Sequence, residues 1–153
     1  MSASDTLLAV DLGIRSGLAV YDRRGHLLDY RSTNFGSRRR LKQAVYGVIR
    51  DAGPPAHLIV EGDRNLGQIW QRAGAKLGAQ YHAVTPKTWR QAVLQPHQRR
   101  DAATAKQAAD TLARRVIELT GADRPTSLRH DAAEAILIGW WALHHLGWRE
   151  PSS

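Results

Sequence analysis

The sequence predicts one α/β domain built on a five-stranded mixed sheet, a three-strand antiparallel meander joined to two parallel strands, with helices on its flanks. Three observations predict it. Near the N-terminus, three short strand-like runs are joined by tight turns, as in a meander. Two later apolar runs each follow a segment of helical periodicity, which makes them parallel strands entered through crossovers. The last third of the chain reads as helix. The resulting order, βββαβαβ followed by helices, is not a Rossmann alternation. At 153 residues the chain suits a single domain over residues 1–153.

The elements follow in order. Residues 1–6 are a short polar lead. Leu7 to Leu12 is an apolar run that reads as a buried strand, and Gly13-Ile14-Arg15 turns it back. Ser16 to Tyr21 is the return strand. Asp22-Arg23-Arg24-Gly25 is a turn, with Gly25 at a position that suits positive φ. His26 to Arg31 closes the meander. Ser37 is an N-cap for a helix to Asp51, with Leu41, Val45, Val48 and Ile49 at helical spacing. Gly53-Pro54-Pro55 ends it. His57 to Glu61 is the fourth strand, expected parallel to the first. Gly62 to Asn65 is a polar loop, and a helix follows from Leu66 to Leu77. Within that helix Trp70 reads as core. Ala73-Gly74-Ala75 is small enough for close helix contact, within the subunit or with a second copy. Tyr81 to Val84 is the fifth strand. Pro86 opens a short helix through Trp89 and Val93, closed by Pro96. Gln98-Arg99-Arg100 is a basic loop. Asp101 caps a long helix to Leu119, its buried face expected at Ala105, Ala109, Leu112 and Val116, with Gly121 as the stop. Asp123 to Arg129 is a loop. The last helix, His130 to Leu146, is apolar nearly all round, so it is expected to pack on the sheet. The tail after Trp148 reads as frayed.

Composition narrows the partners. Lys and Arg number 22 against 14 Asp and Glu, a formal charge of +8. Most of the cations are Arg, which matches phosphate in a bidentate fashion. On a small basic domain this excess favours nucleic acid over membrane, with a merely solvated basic surface as the plain alternative. There is no cysteine, which rules out disulfides, thiolate zinc sites and a cysteine nucleophile. No run is long enough to span a bilayer, and no signal peptide is expected, so a cytoplasmic location is. The phosphate-contact candidates, from charge and expected exposure, are Arg38, Arg39, Arg40, Arg64, Lys87, Arg99, Arg100 and Lys106. For the Arg38–Arg40 cluster, which opposes its helix dipole, plain solvation is the competing reading.

The chemistry lies in four acids. Asp11 and Glu61 end two strands expected to be parallel neighbours, at the sheet edge where α/β proteins gather ligands. Asp131 and Glu134 are three residues apart and share one helix face. Taken singly, each has an ordinary reading as a strand-end, turn or helix-start acid. Their joint placement points to one site. Carboxylates gathered there repel one another and raise each other's pKa values, a penalty that Mg²⁺ or Mn²⁺ removes. Two such ions roughly 4 Å apart could activate water and stabilise a leaving 3′-oxygen. In that scheme Asp11 bridges the ions, Glu61 and Asp131 hold one each, and Glu134 completes the shell or orients water. His130 is open between metal ligand, general acid or base, phosphate contact and simple helix-start residue. Asp11 to Gly17 mimics a glycine-rich phosphate loop, but it lacks the Walker pattern and a strand follows it. A non-catalytic module that holds branched nucleic acid is disfavoured, because acids without metal repel phosphate.

These residues carry a resemblance. Ala9-Val10-Asp11-Leu12-Gly13, Ile59-Val60-Glu61, Thr85-Pro86 leading to Gln91-Ala92-Val93, Ala105-Lys106-Gln107, and His130 to Ala135 together resemble the RNase H-like nuclease superfamily. Within it the chain is most similar to the RuvC Holliday junction resolvases, as a phage-type or divergent member. The resemblance implies an RNase H-like fold and a homodimer that binds four-way DNA junctions and nicks two strands symmetrically with Mg²⁺. It also implies that Lys106 sits near the scissile phosphate. The sequence departs from that pattern in three places. Glu134 stands where the family more often has Asp, no aromatic follows Glu61 closely, and Gln95 to Arg100 replaces a glycine turn. YqgF-like proteins share an opening like Asp11 to Val20 but usually lack the acid that Glu61 supplies. Flap, branch or RNase H-type cutting by the same site is the alternative.

Overall fold

A computed structural model describes residues 5–149. Its elements are β1 (Thr6–Asp11), β2 (Arg15–Asp22), β3 (Leu27–Asn34), α1 (Arg38–Asp51), β4 (His57–Glu61), α2 (Arg64–Lys76), β5 (Gln80–Val84), α3 (Pro86–Val93), a 3₁₀ turn (Pro96–Gln98), α4 (Ala102–Thr120) and α5 (His130–His145). The strands form one sheet in the order β3-β2-β1-β4-β5. β1, β2 and β3 pair antiparallel, while β4 is parallel to both β1 and β5. The expected mixed sheet is therefore the one observed.

Alternation along β1 and β4 divides the core in two. Leu7, Ala9 and Ile59 face α4 and α5, together with Tyr21 and Trp89. Leu8, Val10, Leu58 and Val60 face α1 and α2, over Leu41, Val45, Ile49 and Trp70. α5 is buried along Ala132 to Gly139, as its all-round apolarity required. Ser37 caps α1 by accepting from the Arg40 N–H, and Asp101 caps α4 by accepting from Thr104. Gly121 ends α4 at φ 73°, a left-handed conformation that favours glycine.

Several expectations are corrected. Thr6 belongs to β1 and not to a polar lead, its hydroxyl donating to the Ala52 carbonyl. β3 runs on to Asn34 because Ser32, Thr33 and Asn34 keep pairing with Gly17, Ser16 and Arg15, which a polar stretch conceals. α2 begins at Arg64, since Asp63 accepts from the N–H groups of Asn65 and Leu66 and so caps it. The buried face of α4 is Ala109, Ala113, Val116 and Ile117; Ala105 and Leu112 are half-buried. Alanine-rich helices offer two adjacent faces of nearly equal hydrophobicity, and packing on α5 selects this one. Trp70 is fully buried, and Gly74 lies against Leu58 and Ile49 of its own subunit. Of the tail after Trp148, Arg149 stacks on Trp140. The remainder of it, and residues 1–4, lie outside the described residues. No described helix is long and apolar enough to cross a membrane.

Candidate metal centre

The parallel register sets Asp11 directly beside Glu61, both at the C-terminal ends of their strands. α5 crosses the same rim with Glu134 in its second turn. One carboxylate oxygen each from Asp11, Glu61 and Glu134 lie within 4.8 Å of one another, close enough to share an ion. Glu61 is 7% exposed and Glu134 5%. Asp11 is half-buried, so the group opens to solvent on its side.

Gly17 makes the approach of α5 possible. It pairs with Asp11 across β1 and β2. A Cβ at residue 17 would stand 1.8 Å from the Asp131 carbonyl oxygen, so only glycine lets the start of α5 come this near. Asp131 sits at the same contact but directs its carboxylate elsewhere. One oxygen accepts from the Ser32 hydroxyl at 2.9 Å and the other from the Ala132 N–H at 2.8 Å. It stands outside the group of three, although its charge is felt at Asp11.

α3 supplies two neighbours that sequence reasoning missed in this role. The Trp89 indole N–H donates to Glu61 Oε1 at 3.0 Å. The Arg90 guanidinium donates to Glu134 Oε2 at 2.7 Å, and His130 Nε2 lies 3.1 Å from the same oxygen. Thus consecutive residues hold the two buried glutamates. The available signal was an aromatic–cation pair on a short helix that follows β5 at the carboxylate rim.

Electrostatics mark the site as short of positive charge. Burial pushes the Asp11 carboxyl up to about 8, with the charges of Glu134, Glu61 and Asp131 adding to it and Arg90 opposing. Burial also raises Glu61, against the lowering effect of the Trp89 hydrogen bond. An all-oxygen donor set that cannot ionise fully by itself fits a hard divalent cation.

The basic candidates are dispersed. Arg38, Arg39 and Arg40 are exposed on the first turn of α1, Arg64 at the start of α2 and Lys87 on α3. Arg100 is exposed and pairs with Asp101 at 3.6 Å. Arg99 is half-buried, and its Nε finds no hydrogen-bond partner among the described residues. Lys106 is exposed on α4, outside the hydrogen-bonded cluster around the acids.

Among solved structures, the chain superposes on the crystal structure of the yeast mitochondrial Holliday junction resolvase Ydc2. The TM-score is 0.60, over 95% of this chain and 82% of that one, at 10% sequence identity. The two share a fold. It is the resolvase-type, RNase H-like arrangement, and at that identity the likeness speaks for fold alone. The simian T-cell lymphotropic virus intasome in complex with PP2A regulatory subunit B56 gamma overlaps at a TM-score of 0.33 and 12% identity, covering 89% of this chain and 47% of that one. A score of that size carries no argument. No protein-family model matches the chain, and no curated protein matches it by sequence. In this chain the acidic group lies where the C-terminal ends of β1 and β4 meet α5.

Proposed function

We propose that this protein is a divalent-metal-dependent DNA endonuclease of the RuvC type, acting on branched DNA with the four-way junction as principal substrate. The observation that carries the reading is the convergence of Asp11, Glu61 and Glu134 within 4.8 Å at the sheet rim. Mg²⁺ or Mn²⁺ fits this donor set, and two ions per site is the arrangement proposed. Asp11, Glu61 and Glu134 would hold the metal as inner ligands, and Asp131, whose charge reaches Asp11, would be the fourth carboxylate beside them. When bound, such ions lower the pKa of water and stabilise charge on the leaving oxygen of a phosphodiester.

The chain's own groups do the rest. Trp89 fixes the rotamer of Glu61, and Arg90 holds Glu134 in place. His130, in contact with Glu134, is a supporting group for proton movement. Lys106, Arg99 and Arg100, with Arg38 to Arg40, Arg64 and Lys87, meet phosphates. The proposed assembly is a homodimer, which would place two such sites on one junction and give paired, symmetric nicks.

The test is a nicking assay with four-way, flap, RNA–DNA hybrid and linear duplex substrates in Mg²⁺, Mn²⁺ and EDTA. The expected result is paired cutting of the junction with either metal and none in EDTA. Asp11→Asn should lower the cutting rate at least a thousandfold while junction binding persists. A variant that cuts at the wild-type rate removes the catalytic assignment, and cutting of the hybrid alone would make this an RNase H-type enzyme.

A further inference from the structure

The net positive charge of this protein lies in one layer. α1 and α2 together carry eight Lys and Arg residues against a single acid, Asp51. The rest of the chain holds fourteen cations against thirteen acids. The excess of +8 therefore belongs almost wholly to the two-helix layer, on the face of the sheet opposite α4 and α5.

Between these helices runs a groove of about 680 Å³. Arg38, Lys42 and Tyr46 line one wall at four-residue intervals, and Ile69, Arg72 and Lys76 line the other. Four-residue steps place side chains in one row about 6 Å apart along a helix. The groove thus presents two rows of cations with no carboxylate in its lining. Tyr46 is 42% exposed on its wall. Both helices start at the end of the sheet that carries Asp11 and Glu61: α2 begins three residues after Glu61, and α1 follows the end of β3 beside Arg15. A chain lying in the groove would lead to the carboxylate rim.

We propose that this groove binds a single-stranded nucleic-acid segment, with its phosphates on the two rows of cations and a base against Tyr46. Charge complementarity selects a polyanion. Two rows of cations flanking one furrow suit a single phosphate backbone. The exposed aromatic supplies the sequence-tolerant stacking platform such strands use. A second copy of this chain is a poor occupant, because a two-fold contact would set these cations against themselves. The inference concerns binding; Arg38 is shared with the proposed junction contacts, whereas Arg72, Lys76 and Tyr46 are not, so variants at those three let each reading fail alone.

The experiment is fluorescence anisotropy of a labelled oligothymidylate, in EDTA, across a salt series, with a blunt duplex of equal length as competitor. Wild type should bind the single strand in preference to the duplex, with a log–log salt slope of about −3 for four phosphate contacts. Arg72→Ala combined with Lys76→Ala should weaken binding at least tenfold and flatten the slope by about 1.4. Tyr46→Ala should weaken binding about tenfold at unchanged slope, as loss of stacking predicts. All three side chains are exposed, and a thermal melt verifies that each variant folds. Equal binding by wild type and the double variant overturns the proposal. So does a duplex that binds as tightly as the strand and loses as much affinity in the Arg72→Ala, Lys76→Ala variant. A wild-type dimer that falls apart on Arg72→Glu and Lys76→Glu, seen by sedimentation, also overturns it and makes the groove a self-interface.

Discussion

Glu61 and Glu134 are buried carboxylates whose orientation depends on two adjacent side chains, Trp89 and Arg90. Groups that orient a metal ligand are worth about 10–100-fold in affinity. Trp89→Phe removes the hydrogen bond to Glu61 and also leaves a cavity at a fully buried position, so Mn²⁺ affinity by calorimetry should fall about tenfold and the melting temperature should drop with it. Arg90→Met should behave differently. It strips a cation from a buried acid and should lower the stability of the metal-free protein by about 1–3 kcal/mol, discounted for the solvent that reaches Arg90. Saturating Mn²⁺ should recover much of that loss, read by denaturant titration with and without the ion. Asp11 sets the pH response. Its folded-state pKa of about 8 lies above the ordinary 3.8, so the folded chain holds the proton more tightly than the unfolded one. Stability of the metal-free protein should therefore fall as pH rises between those values and level off above them. Asp11→Asn should flatten that profile. Because an ion must displace the same proton, Mn²⁺ affinity should climb with pH up to about 8.

α5 is the element that completes the site, and two glycines govern how closely it lies on the sheet. A Cβ at residue 17 would strike the Asp131 carbonyl, and one at residue 139 would sit 2.3 Å from the Tyr21 ring. Either alanine substitution should cost about 1–3 kcal/mol by overpacking. They should part company in metal binding. Gly17→Ala displaces the end of α5 that bears Glu134, so Mn²⁺ affinity should drop with stability. Gly139→Ala acts more than a turn further on and should spare it. Much at this scale was legible in the sequence. β1 and β4 are apolar runs bounded by Gly and Pro, and their terminal acids mark the rim. The polar end of β3 was not legible, since only its pairing with β2 makes it a strand. The face of α4 was not either, because alanine contrasts weakly with its neighbours. For the acids, helix spacing put Asp131 and Glu134 on one side of α5. It could not tell that Asp131 would turn to Ser32, nor that a helix after β5 would fold Trp89 and Arg90 over the rim. Those contacts join residues 28 to 99 positions apart, beyond any local pattern.

The whole molecule sets opposite charges close together: an acidic notch at the rim and a basic two-helix layer beginning beside it. Polyanion affinity should accordingly decline steeply with salt, while divalent-ion affinity, set by inner ligands, should respond far less. The notch also draws on three remote parts of the chain, at positions 11, 61 and 134. An occupied site would behave as a reversible clasp between the opening, middle and closing stretches of the polypeptide. Were protease to sever the connection near Arg100, the buried face of α5 should keep the fragments together, and Mn²⁺ should raise their melting temperature above its value in chelator.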